Sequence, residues 1–468
     1  MTDDILAWFQ KSLAELSQQG RSTLAEMVDI TLSRKGQDVV VAARRCAVPS
    51  WFNADLLAAL APEAAGQAEV LLTELRTLPY VRELNPLGYA YRSEVRDYLL
   101  TRLRAEDEAQ HTVLHRRAHD YFDQKLRAQG IGGEEVSWAS LTEEQADYLR
   151  EKLYHLLFIE PAQGFELLDR LFRGAHRYHL LGEAATLVAF GRDHVAESPS
   201  PLNHSRLRYY EAVLAHAHGR WEEAIRTLQE ILRSKDLPLD FQARVLAQLG
   251  AIHASVSQLD QAIEAFKQSK QIWGRLKDVQ RSAALANNLG NAYLAKGDLS
   301  RAEKSFAEGL AGLTKVGDPA EQAAAYNNLG NVHAQKEDWK NAIEFYKKSL
   351  EIKQQIGDRF GAATTQTNLG TVLQRMSQDA PDSRREQEQR SQAIDYYSRS
   401  VPVFRQLGAR PSLATLLYKL AVAYHQAGQT DLARQNVQEA LEILEALNLP
   451  ERDMARKLAE RLGAAPPA

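Results

Sequence analysis

From Ala283 to Asp358 the apolar and polar positions run in one frame that is stated twice, forty residues apart. Asn287-Asn288-Leu289-Gly290-Asn291 returns as Asn327-Asn328-Leu329-Gly330-Asn331. The frame reaches back to Leu249-Gly250, forward to Asn368-Leu369-Gly370 and, after a longer step, to Leu420-Ala421. Each Leu-Gly pair is followed by a turn signal, then by an alanine with a large apolar residue four places on. These are Gly297-Asp298, Ala302 and Phe306 in one unit, and Glu337-Asp338, Ala342 and Tyr346 in the next. Small residues where two helices must approach, with large ones beside them at helical spacing, predict a helix, a tight turn and an antiparallel helix per unit. Gly317-Asp318 and Gly357-Asp358 are predicted to close the second helices. A fixed period of this kind marks a repeat architecture.

Ahead of the repeats the pattern is helical without a period. Ile5, Leu6, Phe9, Leu13 and Leu16, then Leu24, Met27, Ile30 and Leu32, predict two helices broken near Gly20. Short helices follow within residues 39–49, 52–60 and 67–78. Residues 80–84 and 89–92 flank Asn85-Pro86-Leu87-Gly88, a turn sequence that predicts a β-hairpin. Residues 130–133 read as a joint. From Thr142 onward, helices with apolar faces at Tyr154-His155-Leu156-Leu157 and residues 165–172 are expected to cap the repeats. Residues 379–390 lie inside a unit and stretch the step from Leu369 to Leu420 to 51 residues, as a solvated loop or a helix extension. A last helix, residues 453–462, precedes a frayed tail from Ala464.

Leu289, Gly290, Tyr293, Ala302 and Phe306 resemble the tetratricopeptide repeat (TPR) pattern. The forty-residue period with its Gly-Asp junction is similar to the longer TPRs of kinesin light chains and Pins-type polarity adaptors. A degenerate unit with Gly219, Trp221, Ala224 and Leu228 comes before, and a last one carries Tyr424, Gly428, Ala433 and Val437. The resemblance therefore implies about six units, above the roughly three that a solenoid needs to bury a continuous core.

Three short helices and a hairpin also describe a winged helix. Residues 47–60, 71–75 and 89–100 resemble the winged-helix domain that joins the nucleotide switch to the sensor repeats in STAND signalling NTPases. Two features depart from that family. Arg92 stands near the register where it places a His before the segment that here reads Val95-Arg96-Asp97-Tyr98, and the sequence holds no G-x-x-x-x-G-K-[ST] phosphate loop. The family's nucleotide switch cannot be built from this chain in that way.

Composition narrows the function classes. Hydrophobic and charged fractions of 44% and 25% are those of an ordinary globular protein. Met1-Thr2-Asp3-Asp4 lacks the basic segment and apolar core of a signal peptide, and no apolar run approaches membrane-spanning length, so a cytoplasmic protein without membrane contact is expected. The net charge is −4, and residues 1–150 hold 17 basic against 23 acidic side chains, a balance that repels a polyanion. The helix that would read DNA offers Glu69, Glu74 and only Arg76, so no nucleic-acid partner is expected.

Candidate chemistry is sparse. Cys46, the only cysteine, has no internal partner and its apolar setting favours packing. His111, His115 and His119 recur every four residues with Asp120 beside them, a spacing that can ligate zinc. No H-E-x-x-H frame is present and Arg116 and Arg117 crowd the turn, so a solvated or half-buried helix face is expected, with no metal and no cofactor.

The binding chemistry is expected on the first helix of each unit. Asn287 and Asn291, four residues apart, share a face and are predicted to line a concave groove. Asn327 and Asn331 take the same places one unit on, and Thr367, Thr371, Gln374 and Arg375 follow in the next. Asn288, Asn328 and Asn368 are expected to bond neighbouring backbone. A mid-helix Asn costs about 0.5 kcal/mol against Ala. An extended ligand would offset that cost, because a carboxamide can donate to and accept from one peptide unit. Groove asparagines do this in the families resembled, where they also occur as repeat consensus.

The sequence thus predicts an all-α fold, a TPR superhelical solenoid with an N-terminal helical, winged-helix-like domain carrying a small β-hairpin. The expected divisions are N-terminal helices at 1–34, the winged-helix-like domain at 35–130, a helical connector and cap at 131–204, the TPR units at 205–448 and a capping helix and tail at 449–468. The expected function is a non-catalytic protein-interaction adaptor that binds a peptide segment of a protein partner in the concave groove. The alternative is the sensor or regulatory arm of a STAND-like signalling system, with its effector or NTPase encoded separately.

Overall fold

The computed structural model describes residues 22–132, 138, 141–177, 180–197, 200–234, 236–379 and 383–463. The helix expected over residues 5–20, the end of the joint at Gly133 and the tail from Ala464 lie outside them. The chain forms two compact units, residues 1–220 and 221–468.

In the first unit, α1 (Ser22–Ser33), α2 (Gln37–Arg45), α3 (Ala54–Leu60) and α4 (Ala68–Leu75) lead into the antiparallel strands β1 (Val81–Leu84) and β2 (Gly88–Tyr91). Helix α4 ends three residues short of the expected Leu78, because Pro79 follows and the chain turns there to feed β1. The register pairs Val81 with Tyr91 and Leu84 with Gly88. Phe52 adds a bridge to the hairpin through Tyr89, with N–O distances of 2.7 and 2.8 Å. Gly88 is required at that junction: its φ is +138°, and a Cβ there would lie 2.4 Å from the Phe52 carbonyl oxygen.

Helix α5 (Ser93–Glu106) closes this module. Val95 and Leu99 pack with Met27, Leu57, Leu75, Tyr80 and Tyr91. Arg96 donates to the carbonyls of Ala47 at 3.0 Å and Val48 at 2.9 Å, fixing the turn after α2. Cys46 is buried in the same core, which pushes its thiol pKa up and leaves it a packing group. Helices α6 (Glu108–Ala128), α7 (Glu143–Ile159), α8 (Pro161–Arg177), α9 (Leu181–Glu197) and α10 (Pro201–Ala217) pack in succession around Phe122, Tyr148, Leu153, Phe165 and Tyr210.

The second unit opens with α11 (Trp221–Leu232). Five hairpins follow: α12 (Leu239–Ser255) with α13 (Leu259–Arg275), α14 (Val279–Ala295) with α15 (Leu299–Val316), α16 (Pro319–Gln335) with α17 (Trp339–Gln355), α18 (Arg359–Gln378) with α19 (Ser383–Gln406), and α20 (Arg410–Gln426) with α21 (Thr430–Ala446). Helix α22 (Arg452–Arg461) ends the described chain.

The repeated residues explain the hairpins. A Cβ on Gly250 would lie 2.7 Å from the Phe266 ring. On Gly290 it would lie 2.5 Å from Phe306, on Gly330 2.6 Å from Tyr346, and on Gly370 2.7 Å from Tyr397. The first helix can approach the second only where it has no side chain, and the aromatic ring fills that notch. Ala302, Ala342, Ala393 and Ala433 are buried one turn before the large residue. Asp278, Asp298, Asp318, Asp338 and Asp358 each accept a backbone N–H three residues on, so the junction aspartates start the following helices. Most of residues 379–390 are a helix extension, since α19 begins at Ser383.

Candidate functional site

The first helices α14, α16, α18 and α20 carry a chain of side-chain hydrogen bonds from unit to unit. Asn328 Nδ2 donates to Asn291 Oδ1 at 3.2 Å. One unit on, Asn368 Nδ2 donates to Asn331 Oδ1 at 3.5 Å and to Asn327 Oδ1 at 3.2 Å. At the following step Lys419 Nζ donates to Thr371 Oγ1 at 3.1 Å. At each step the donor is the residue before the Leu of the frame and the residue after the Gly of the preceding unit accepts, joined at Asn368 by Asn327 as a second acceptor.

The second helices reach the same ladder through their aromatic residues. Tyr346 donates to Asn331 Oδ1 at 2.7 Å, and Tyr397 contacts Thr371 Oγ1 at 3.2 Å and Gln374 Oε1 at 3.0 Å. Gln374 Nε2 in turn donates to Gln426 Oε1 at 2.9 Å. Burial pushes both phenol pKa values up, so they act as neutral donors.

The predicted site residues divide on this face. Asn291 is exposed, Asn327, Asn331 and Thr371 are half-buried within the ladder, and Arg375 is exposed at its end. Three predicted groove residues, Asn287, Thr367 and Gln374, are corrected, and so is the expected backbone bonding of Asn328 and Asn368. Asn287 is only 5% exposed: it turns away from Asn291 toward the second helix, where its Oδ1 would lie 2.5 Å from a Cβ on Gly309. Thr367 is buried with its hydroxyl on Ala363 O at 2.9 Å, and Gln374 is buried between Tyr397 and Gln426. Asn328 and Asn368 bond neighbouring side chains instead of backbone, while Asn288 is exposed and the acceptor position one unit earlier holds Ala251, which has no side-chain acceptor.

Three ladder donors, Asn328, Asn368 and Lys419, are not among the predicted site residues. Their signal is positional, since Asn288, Asn328, Asn368 and Lys419 all precede the Leu of the frame. Lys419 changes the electrostatics of the face. Burial and the nearby Arg375 guanidinium hold its ammonium pKa below the ordinary lysine value, and neither cation has a carboxylate partner among the described residues.

Of the two expected forms of the histidine row, the structure has the half-buried helix face, with His111 and His119 partly exposed. His115 is 1% exposed and not on a solvated face. Its Nδ1 lies 3.0 Å from His155 Nδ1 on α7 and its Nε2 3.3 Å from His111 Nε2. His155 Nε2 faces Glu151 at 3.5 Å, and Glu151 also accepts the Ser50 N–H at 3.1 Å. His119 turns out to Asp120 at 3.1 Å. The row therefore does not converge on one point. It forms a file of imidazoles from His111 through His115 to His155 that ends beside a buried carboxylate.

Comparison with known proteins follows the same frame. The sequence matches the tetratricopeptide repeat family over residues 241–315, 321–381 and 382–446. No curated protein sequence matches it. Among solved structures the chain is similar to a Signal Transduction ATPase with Numerous Domains (STAND) protein with a tetratricopeptide repeat sensor from Pyrococcus horikoshii. That likeness has a TM-score of 0.62 at 12% identity and covers 95% of this chain and 62% of that one. The chain thus spans less than two thirds of that protein's length. Looser likenesses are the apo form of RapI and a Podosopora anserina kinesin light chain protein with nearly identical TPR-like repeats. The first has a TM-score of 0.46 at 12% identity over 62% of this chain and 96% of that one. The second has a TM-score of 0.37 at 17% identity over 45% and 99%. Residues 241–446, with their Gly-aromatic notches and aspartate junctions, are a run of tetratricopeptide repeats.

Proposed function

We propose that this chain is a non-catalytic protein-interaction adaptor that holds an extended peptide segment of a protein partner along the face of α14, α16, α18 and α20. The supporting observation is the side-chain ladder from Asn291 through Asn331 to Thr371, whose amides lie on one face in register with the repeat. Each ladder carboxamide keeps donor or acceptor capacity beyond the bonds it makes, and that capacity suits a peptide backbone read without regard to its sequence. Lys419 and Arg375, cations without carboxylate partners, favour an anionic group of the partner at that end. The protein acts in the cytoplasm, with neither nucleic acid nor membrane as a partner.

The test is capture from native cell extract with the full chain and with an Asn328→Ala/Asn368→Ala variant, each eluate read by mass spectrometry. A protein held by the first and lost by the second supports the groove, with a loss of about 1–3 kcal/mol in the purified complex. Equal retention by both would move the binding site off this face.

A second reading is the sensor arm of a STAND-like signalling system. The likeness to the STAND protein covers 95% of this chain, its N-terminal helices and hairpin as well as the repeats, while the phosphate-loop motif is absent from the sequence. Under this reading a separately encoded NTPase or effector engages the first unit. Assembly into larger particles on addition of ligand, followed by light scattering, would favour it over the adaptor.

A further inference from the structure

We propose that the cavity between α13 and α15, on the second-helix side of the repeats, binds a small polyphosphate anion, free or as the phosphate chain of a nucleotide. The cavity measures about 580 Å³, within the range of small-ligand sites and far larger than one phosphate ion needs. Its floor is Leu289 and Tyr293 of α14. Lys267 and Lys270 of α13 stand on one wall, Arg301 and Lys304 of α15 on the other. The lining carboxylate, Glu308, lies 2.6 Å from Lys270, and Arg301 lies 3.4 Å from Asp298 with its guanidinium over the Tyr293 ring. Lys267 and Lys304 have no anionic partner among the described residues.

The repeat frame does not require these cations. Forty residues on, the places of Lys267, Lys270, Arg301 and Lys304 are taken by Ala307, Leu310, Asn341 and Glu344. The scaffold is built equally well without the charge. Residues 267–304 hold eight Lys or Arg against three Asp or Glu, in a chain whose net charge is −4. Such a concentration repels itself in the free protein, and an anion seated between the walls relieves that repulsion. The polar lining suits phosphoryl oxygens: ammonium and guanidinium groups, the Ser282 and Ser305 hydroxyls and the Gln271 amide all present donors. Charges on both walls select an anion whose charge is spread over several phosphoryl groups. The inference is independent of the peptide groove, which uses a different face of α14.

The test is titration calorimetry on the full chain, at about 0.15 M salt, with inorganic phosphate, sodium tripolyphosphate and ATP. Tripolyphosphate is expected to bind at least about tenfold tighter than inorganic phosphate. Lys267→Gln/Lys304→Gln is expected to lose at least about tenfold, while Lys340→Gln/Lys347→Gln, which removes two exposed cations of α17, stays within about twofold. All four lysines are exposed, so the variants keep the fold, which circular dichroism verifies. Tighter binding of ATP assigns a nucleotide, and equal binding assigns free polyphosphate. Absence of binding heat with both polyphosphates would overturn the proposal, as would equal losses in the two variants.

Discussion

Lys419 donates to Thr371 across 3.1 Å at the step of the frame where Asn368 donates to Asn331 and Asn328 to Asn291. A neutral ladder thus ends on an ammonium group. The fold gains little from that charge, because burial and Arg375 both disfavour it. Lys419→Met should therefore raise the stability of the free protein, by about 0.5–1 kcal/mol in urea unfolding. It should weaken a partner that brings an anion to this end. Opposite signs in the two measurements mark a residue kept for binding, whereas destabilisation beyond 1 kcal/mol would make Lys419 a structural member of the ladder.

A second expectation concerns the buried Asn287. In three other units a serine of the second helix donates to a first-helix carbonyl: Ser269 to Ala243, Ser349 to Ala323 and Ser400 to Ala363, at 2.7, 2.7 and 3.1 Å. Gly309 stands at that place in α15, a Cβ there would lie 3.0 Å from Ala283 O, and Asn287 occupies the vacated space. Neither polar atom of its side chain has a hydrogen-bond partner among the described residues. Gly309→Ser alone should destabilise, since its Cβ meets Asn287 Oδ1 at 2.5 Å. With Asn287→Ala added, the hydroxyl-to-carbonyl bond can form and a helix-interior glycine is removed, for a net gain of about 1 kcal/mol over wild type. A double-mutant cycle in urea reads the coupling, and additive effects would contradict the packing described.

These two cases show where the sequence was legible and where it was not. The hairpins could be read because their Gly-aromatic notch and junction aspartate recur in register at Gly290 and Gly330, Asp298 and Asp338. The ladder could be read only in part. Asn287 and Asn288 both lie within reach of the face of Asn291, being four and three residues away, and helix periodicity alone does not choose between them. The choice is made by Gly309, twenty-two residues on, and by the stagger between units that brings Asn328 to Asn291. The histidine row could be read only in part for the same reason. Its partner His155 arrives from another helix, forty residues beyond His115, so spacing along α6 could not reveal that His115 is buried.

The notch itself predicts a large penalty. Gly330→Ala would set a methyl group 2.6 Å from the Tyr346 ring, which is buried and hydrogen-bonded to Asn331. The ring cannot yield without breaking that bond, so the cost should be about 1–3 kcal/mol despite the better helix propensity of Ala. Tyr346→Leu in the same chain should recover most of that loss. A single variant as stable as wild type in thermal unfolding would show that the two helices can part freely.

The file of imidazoles predicts acid sensitivity in the first unit. Burial holds His111, His115 and His155 below the ordinary imidazole pKa, with Arg104 adding to the effect at His111, and Arg96 and neighbouring imidazoles at His115. Glu108 opposes the shift at His111 and Glu151 at His155. His194, buried beside Phe158 and Phe165, is shifted the same way by burial. Below about pH 6.5 the unfolded chain takes up protons that the folded one refuses. Stability is thus fully present above that pH and falls as pH drops toward the folded-state values. The contact between His115 Nδ1 and His155 Nδ1 needs one donor and one acceptor, so protonating both rings breaks it. Hydrogen exchange over residues 108–128 and 143–159, corrected for intrinsic rates, should show protection falling by about 1–3 kcal/mol between pH 7 and pH 5. His115→Phe keeps a ring against Phe158 and Tyr154 and removes one titrating group, so its pH dependence should be flatter than that of wild type. Equal slopes in the two proteins would mean that the acid response arises elsewhere.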